Sequence, residues 1–375
     1  MNLQSMNLQS INLQTFINQN KDNYIDLFKQ EKLVYRKYPK LNLLVVKRKY
    51  GTDFSTDKSW LNYCRGAIID YSNHKVLLVP PVKSTEIRTK EEFMSPGLID
   101  DEYQYLIDGT MINMFYHNNE WLVSTRSNIG ATNKWNKTMT FKDMFNECST
   151  KVDYDMLNTK HTYSFVMRHT KNKIISPVDK NELILVEVYE MTDSGLEYIP
   201  MNKYREQVNS NVGFTLIPSY SHATFKDSSE LNKGYTKKTL VNGTIQRTKW
   251  ITSDYKFQEM IKPNTNNPNL NYLLLRKNGH LVSYLTYNPE MRHEFEVYRA
   301  NLHMFSQSLY NIYVNVFIHK TMEKELIPFS MKPFIYEIHK SYLETKKSIS
   351  WEKVKDYIYE LEPKRLMFAL NNINL

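Results

Sequence analysis

Cysteine is nearly missing from this chain of 375 residues: only Cys64 and Cys148 are present. Two cysteines cannot build a disulfide framework, and a reducing compartment is the expected setting. No His/Cys group has the spacing of zinc ligands. Glycine (10) and proline (13) are scarce, and neither a glycine-rich phosphate loop nor a G-x-S-x-G elbow occurs. No apolar run is long enough to span a bilayer, and the N-terminus lacks the basic-then-apolar pattern of a secretory signal. A soluble, cytoplasmic protein is therefore expected. Asn, Lys, Ile and Tyr are abundant, which is the bias of AT-rich codons and not a property of a fold.

What is present is a basic, aromatic, globular composition. Hydrophobic residues make up 41% and charged residues 24%, and the net charge is +9 with a pI near 9.1. That balance suits a polyanionic partner, although Lys-rich surfaces also serve solubility alone. The first fifteen residues repeat a pentamer, MNLQS-MNLQS-INLQT. Three such copies are too short for a solenoid, and a frayed tail or helix lead-in is expected. Apolar residues at helical spacing predict a helix from about Thr15 to Val34. Short β-favouring runs follow at 43–46, 67–71, 75–79, 103–107, 111–116, 121–125, 163–167 and 183–189, with a helix over 141–147. The polar stretch 223–239 predicts an exposed connection. Beyond Pro289, apolar residues from Met291 to Val316 recur every three or four positions, predicting a long amphipathic helix. Another helix is expected around Phe334–Leu343, and a last one capped by Ser350. The expected division is a tail and helix over 1–35, a mixed α+β domain over 36–260 and an all-helical domain over 261–375.

One ordered set of segments stands out. Tyr63-Cys64-Arg65-Gly66-Ala67-Ile68-Ile69-Asp70 is followed by Pro80-Pro81-Val82-Lys83 and then by Leu106-Ile107-Asp108-Gly109-Thr110. Downstream come Ser124-Thr125-Arg126-Ser127, Tyr163 to His169 with Asn172 to Ile175, Asn242-Gly243-Thr244-Ile245, and Arg247-Thr248-Lys249. An Asp-Gly pair after a strand means by itself only a turn. The order as a whole resembles the phage-type ATP-dependent RNA ligases, members of the covalent nucleotidyltransferase superfamily, over roughly residues 40 to 260. The resemblance implies an α+β fold: an antiparallel-sheet nucleotidyltransferase domain of ATP-grasp-like ligase type, with an all-helical C-terminal domain. RNA-ligase-like proteins of giant DNA viruses resemble the chain over nearly its whole length, through Gly109 to Ile112, Phe165 to His169, Pro289-Glu290 with Phe295, and Leu366 to Asn371. That resemblance implies a setting in host cytoplasm or virion and brings no enzymatic role with it.

The departures from the family pattern carry the functional expectation. The family's lysine nucleophile falls on Leu106, and its two carboxylates fall on Val166 and Asn242. Its second basic residue of the last segment falls on Ile251. Leucine has no nucleophilic atom, valine cannot ligate Mg²⁺, and the neutral Asn carbonyl is a poor ligand for a hard cation. No catalytic residue, cofactor or metal site is therefore expected. RNA or a nucleotide is the expected ligand of a residual basic cleft, and the C-terminal helices offer a surface for a protein partner. Candidate contacts are Arg65, Gly66, Lys83, Asp108, Gly109, Arg126, His169 and Lys249. For several a plainer role competes: Arg65 as a surface residue at a strand start, Lys83 as an exposed lysine beside prolines, Asp108 and Gly109 as turn formers, His169 as a satisfied polar residue. Trp135 and Tyr235 are candidate exposed stacking platforms. Two other functions stay open: an active ligase, needing ATP and Mg²⁺, whose lysine is displaced to Lys83 or Lys249, and a structural or scaffolding subunit of a viral complex.

Overall fold

The alternating and β-branched runs between Leu33 and Ile251 fold into three sheets in a computed structural model. The described residues are 12–49, 51, 58–95, 97, 101–134, 139–208, 212–226, 233–241, 244–265 and 267–372. In chain order the strands are β1 (Leu33–Tyr38), β2 (Leu43–Arg48), β3 (Arg65–Asp70), β4 (Lys75–Leu78), β5 (Thr85–Glu86) and β6 (Glu102–Tyr105). They continue with β7 (Thr110–His117), β8 (Glu120–Thr125), β9 (Asn128–Ile129), β10 (His161–Arg168) and β11 (Glu182–Thr192). The last are β12 (Gly195–Ile199), β13 (Thr215–Leu216), β14 (Gly234–Val241) and β15 (Thr244–Ile251). The first sheet has the antiparallel order β1-β2-β3-β4, the second runs β12-β11-β10-β7-β8-β9, and the third runs β5-β15-β14-β6. The fold is α+β with mainly antiparallel sheets and a helical C-terminal part, as expected.

Chain geometry follows from side-chain alternation. On β2, Leu44 and Val46 face one hydrophobic cluster while Leu43 and Val45 face another, so the strand is apolar on both sides. The first cluster receives two helices, α1 (Leu13–Gln19) and α2 (Tyr24–Gln30). The predicted single helix from Thr15 to Val34 is thus two short ones, interrupted near Asn20 and Asn23, and β1 begins at Leu33. The last pentamer copy starts α1: Asn12 caps it by accepting from the Thr15 N–H, and Leu13 is buried. Phe16 stacks on Trp60 with centroids 3.8 Å apart. The first two copies lie outside the described residues, as does Trp135.

The second sheet carries the largest cluster of this unit. Ile112, Met114, Phe165 and Leu185 pack against α4 (Phe141–Cys148) and α5 (Met201–Gln207), with the short α3 (Lys90–Phe93) lying by the third sheet. A capping box between Thr140 and Asp143 starts α4. One expectation is corrected here. The second part of 223–239, predicted to be an exposed connection, forms most of β14, and Tyr235 is buried at 2% exposure, so it is no surface platform. Lys238 is equally buried because its ammonium finds Glu187 and the Val186 carbonyl.

Two compact units emerge, Met1–Tyr255 and Lys256–Leu375, the division falling within α6 (Ser253–Ile261). The second unit contains α7 (Pro268–Lys277), α8 (Leu281–Tyr287), α9 (Arg292–Tyr313), α10 (Lys332–Thr345), α11 (Trp351–Glu360) and α12 (Pro363–Asn371). The long amphipathic pattern is α9, continued by one π-helical turn at Val314–Ile318. Its stripe of Phe295, Leu302, Phe305 and Leu309 is buried against Ile335, Val354 and Leu366 of the neighbouring helices. Ser350 caps α11 by accepting from the Lys353 N–H. Among the described residues no helix is long and apolar enough to cross a membrane.

Candidate functional site

The Asp-Gly turn joins two sheets. Strand β6 lies at the edge of the third sheet and β7 lies inside the second, so residues 106–109 cross from one to the other. The Leu106 N–H donates to the Gly234 carbonyl at 2.8 Å, which ties the turn to the start of β14. The Leu106 side chain packs with Ile174, Ile175, Ile251 and Tyr255. Leu106 therefore lies at the partly buried edge of a small apolar cluster. Ile251 belongs to the same cluster.

Asp108 does more than shape a turn. Its Oδ2 accepts from the backbone N–H groups of Ile175 and Ser176, both at 2.9 Å. Its Oδ1 accepts from the Tyr255 hydroxyl and from the Lys233 ammonium at 3.3 Å. Burial pushes this carboxyl up, but the Tyr255 hydroxyl, Lys233 and the two N–H groups together hold it below the ordinary value. Lys233 also lies 4.7 Å from the centroid of the Tyr255 ring. Both carboxylate oxygens are spent on the protein itself. Gly109 follows because β10 passes so close: a Cβ there would lie 2.6 Å from the Met167 carbonyl oxygen and 2.7 Å from Val166 Cγ1.

Val166 is buried on β10, opposite Met111 of β7, within the main core of the second sheet. Asn242 lies outside the described residues. The Xaa-Gly pair that does lie beside Asp108 is Lys233-Gly234, which opens β14. Lys233 was missed in the sequence because 125 residues separate it from its partner. The only local signal was a Lys-Gly pair opening a strand. Gly234 has φ +148°, and a Cβ there would meet the Trp250 carbonyl oxygen, so the pair is fixed by close strand packing.

A second group gathers where the three sheets converge. Gly66 has φ +114°, and a Cβ on it would lie 2.8 Å from the Arg126 carbonyl oxygen. The absent side chain lets β3 abut the turn after β8, bringing together Arg65, Gly66 and Arg126, three of the expected contacts. Arg48 and Arg247 lie close enough to act on Arg65 as well. Burial first, then repulsion from Arg126, Arg247 and Arg48, lowers the Arg65 guanidinium to about 10, with Glu187 opposing. Among the described residues, neither Arg65 nor Arg126 has a carboxylate partner. Arg126 is exposed and Arg65 is partly so.

The floor of this cluster is a buried polar network that sequence reasoning did not foresee. Glu187, fully buried on β11, accepts from Arg247 at 3.1 Å and from the Tyr189 hydroxyl at 3.0 Å, with the Lys238 ammonium 3.4 Å away. Glu102 accepts from Tyr198, Ser219 and Gln104. Lys238 acts on both carboxylates and Arg65 and Arg247 on Glu187, while Arg48 and Arg126 act on Arg65. Among the described residues, the buried Arg247 Nε has no hydrogen-bond partner.

The remaining candidates are placed less favourably. Lys249 pairs with Glu86 at 3.2 Å, where β5 runs parallel to β15. Lys83 is exposed two residues before β5. His169 is fully buried and engaged at both ring nitrogens, with Glu147 at 2.9 Å and the Lys171 N–H at 3.1 Å. As a surface contact for RNA it is corrected: it is a satisfied interior residue.

No protein-family model matches the chain, and no curated protein is similar to it. Several solved structures share part of its course. A putative ATP-dependent DNA ligase from Aquifex aeolicus is 12% identical, with 86% of this chain and 80% of that chain covered and a TM-score of 0.44. An archaeal ATP-dependent RNA ligase is 11% identical, covering 76% and 73%, with a TM-score of 0.42. The Naegleria gruberi RNA ligase with PPi is 13% identical, covering 43% of this chain and 51% of that one, with a TM-score of 0.32. The chain thus spans about half the length of the Naegleria gruberi enzyme.

Proposed function

We propose that this chain is a catalytically inactive protein of RNA-ligase-like nucleotidyltransferase fold, which binds RNA or a nucleotide phosphate at the Arg65–Arg126 cluster. One observation carries the binding half: cations converge there without enough carboxylates to balance them. Arg65 pays for burial and for three like charges at once, and the buried Arg247 Nε lacks an acceptor among the described residues. An anion with several oxygens relieves the repulsion at Arg65, and phosphate is the natural group for guanidinium forks.

The inactive half rests on what surrounds Asp108. Covalent adenylyl transfer needs an unprotonated lysine that attacks the α-phosphate, and Leu106 supplies only carbon. Val166 offers no oxygen to a metal, and both oxygens of Asp108 are committed to Ile175, Ser176, Tyr255 and Lys233. These residues do not fit a site for ATP with Mg²⁺ of the ligase kind, and no such step is assigned. The chain's resemblance to proteins of giant DNA viruses supports host cytoplasm or the virion as its setting.

Purified protein incubated with α-labelled ATP and Mg²⁺ tests the inactive half. No acid-stable covalent label is expected. A label that disappears in Lys83→Ala or Lys249→Ala would instead establish an active ligase with a displaced nucleophile. Failure to bind RNA at low salt would favour a scaffolding role.

A further inference from the structure

The helical unit contains a cleft that the arginine cluster does not involve. It lies between α7, α9 and α12 and has a volume of about 390 Å³, within the ~300–1,000 Å³ usual for small-molecule sites. Its lining combines two kinds of group. Tyr272 and Tyr298 give aromatic faces, while Asn269, Asn301 and Asn371 bring side-chain amides. Asn269 Oδ1 is buried and has no hydrogen-bond partner. Among the described residues, the Asn301 and Asn371 amides have no partner either.

The buried Asn269 acceptor is costly to leave unmet, while the half-exposed Asn301 and exposed Asn371 amides stand open to a ligand at the rim. Each amide offers a donor and an acceptor in one plane, the pattern that matches the edge of a nucleobase. A purely aliphatic ligand would leave the Asn269 acceptor unmet. The charge at the site has the complementary sign for the rest of a nucleotide. Burial raises the Tyr272 hydroxyl, and the nearby Arg276 and Arg299 act against that rise. Arg276 packs its guanidinium 4.8 Å from the Tyr359 ring centroid, and Arg299 is exposed on α9.

We infer that this cleft is a nucleotide subsite: it takes one unstacked nucleobase between the half-exposed Tyr298 and the three asparagine amides, with the attached phosphate toward Arg299. The inference rests on RNA being the partner, but it concerns a different set of residues from the arginine cluster. The nucleotide comes either from a single-stranded RNA or from a free mononucleotide.

The test uses the full chain. The four ribonucleoside 5′-monophosphates and four homopolymeric RNA pentamers are titrated by calorimetry against wild type, Asn269→Ala, Asn301→Ala and Arg65→Ala. Thermal melts confirm that each variant is folded. Each asparagine change is expected to weaken binding by roughly three- to tenfold, the usual worth of one neutral hydrogen bond. Binding of both ligand types marks the cleft as a site for any nucleotide, and binding of pentamers alone marks it as a site for a residue within RNA. Should a variant melt early, saturation of wild type with the best mononucleotide must shift the NMR signals of the Tyr272 and Tyr298 rings. Unchanged affinity in both folded asparagine variants overturns the inference even if Arg65→Ala weakens RNA binding. Loss confined to the asparagine variants upholds it and removes the arginine cluster from the RNA site.

Discussion

Replacing Asp108 with Asn separates a structural carboxylate from a catalytic one. In the native turn four donors converge on its two oxygens, two of them backbone N–H groups and one the Lys233 ammonium. An amide keeps one oxygen. If that oxygen stays with Ile175 and Ser176, its NH₂ group faces Tyr255 and Lys233. The tyrosine hydroxyl can turn and accept, but the ammonium loses its charge partner. Lys233 is only 24% exposed, so solvent screens the loss incompletely. A charged hydrogen bond is worth about 1.5–3 kcal/mol, and breaking a buried pair costs about 3–5 kcal/mol. For this half-buried pair about 3 kcal/mol is expected, or a fall in melting temperature of roughly 6–12 °C for a unit of this size. Thermal and urea unfolding of the full chain measure it. The pH dependence has a definite sign. The folded carboxyl is held below its ordinary value, so its stabilisation is complete above the unfolded value of about 4 and is lost as pH falls through the folded value. The gap between wild type and Asp108→Asn should therefore be constant through neutral pH and close only in acid. A gap below 1 kcal/mol at pH 7, or one that closes near pH 6, refutes the role given to Asp108.

Three further outcomes follow from the same geometry. Glu187→Gln leaves Arg247 and Lys238 buried and facing each other, which should cost about 3–5 kcal/mol and lower the urea midpoint sharply. Leu106→Lys places a lysine beside Asp108 but adds no carboxylate at Val166. It should give no acid-stable label with ATP, and the charge placed among Ile174, Ile175 and Ile251 should lower the melting temperature. Gly66→Ala puts a Cβ 2.8 Å from the Arg126 carbonyl at φ +114°. It should destabilise by more than ~1 kcal/mol and also weaken RNA binding, since Arg126 must move.

Much of the strand framework was legible, because β2, β3, β7, β10 and β11 are runs of β-branched and aromatic residues whose burial depends on local alternation. Strand β14 was not. Lys237 and Lys238 advertise a solvated loop, and only the fold supplies the Glu187 that buries one of them. The short helices α6, α7 and α8 were missed for a different reason: prolines and Gly279 break the apolar period before it extends over many turns, whereas α9 runs uninterrupted. At the site, the apolar character of Leu106 and Val166 could be read residue by residue. The partners of Asp108 could not. Lys233, Tyr255 and the 175–176 backbone reach Asp108 from distant segments, and the arginine cluster draws on all three sheets.

Salt-dependent binding of single-stranded RNA to wild type and to Arg65→Ala tests the central claim most directly. Wild type should bind at low salt and weaken on a straight line of log K against log salt, since each phosphate neutralised releases counterions. Arg65→Ala should bind more weakly and flatten that slope by roughly 0.7, the share of one single-strand phosphate contact. No binding at low salt, or an Arg65→Ala slope equal to that of wild type, would contradict a phosphate site at the arginine cluster.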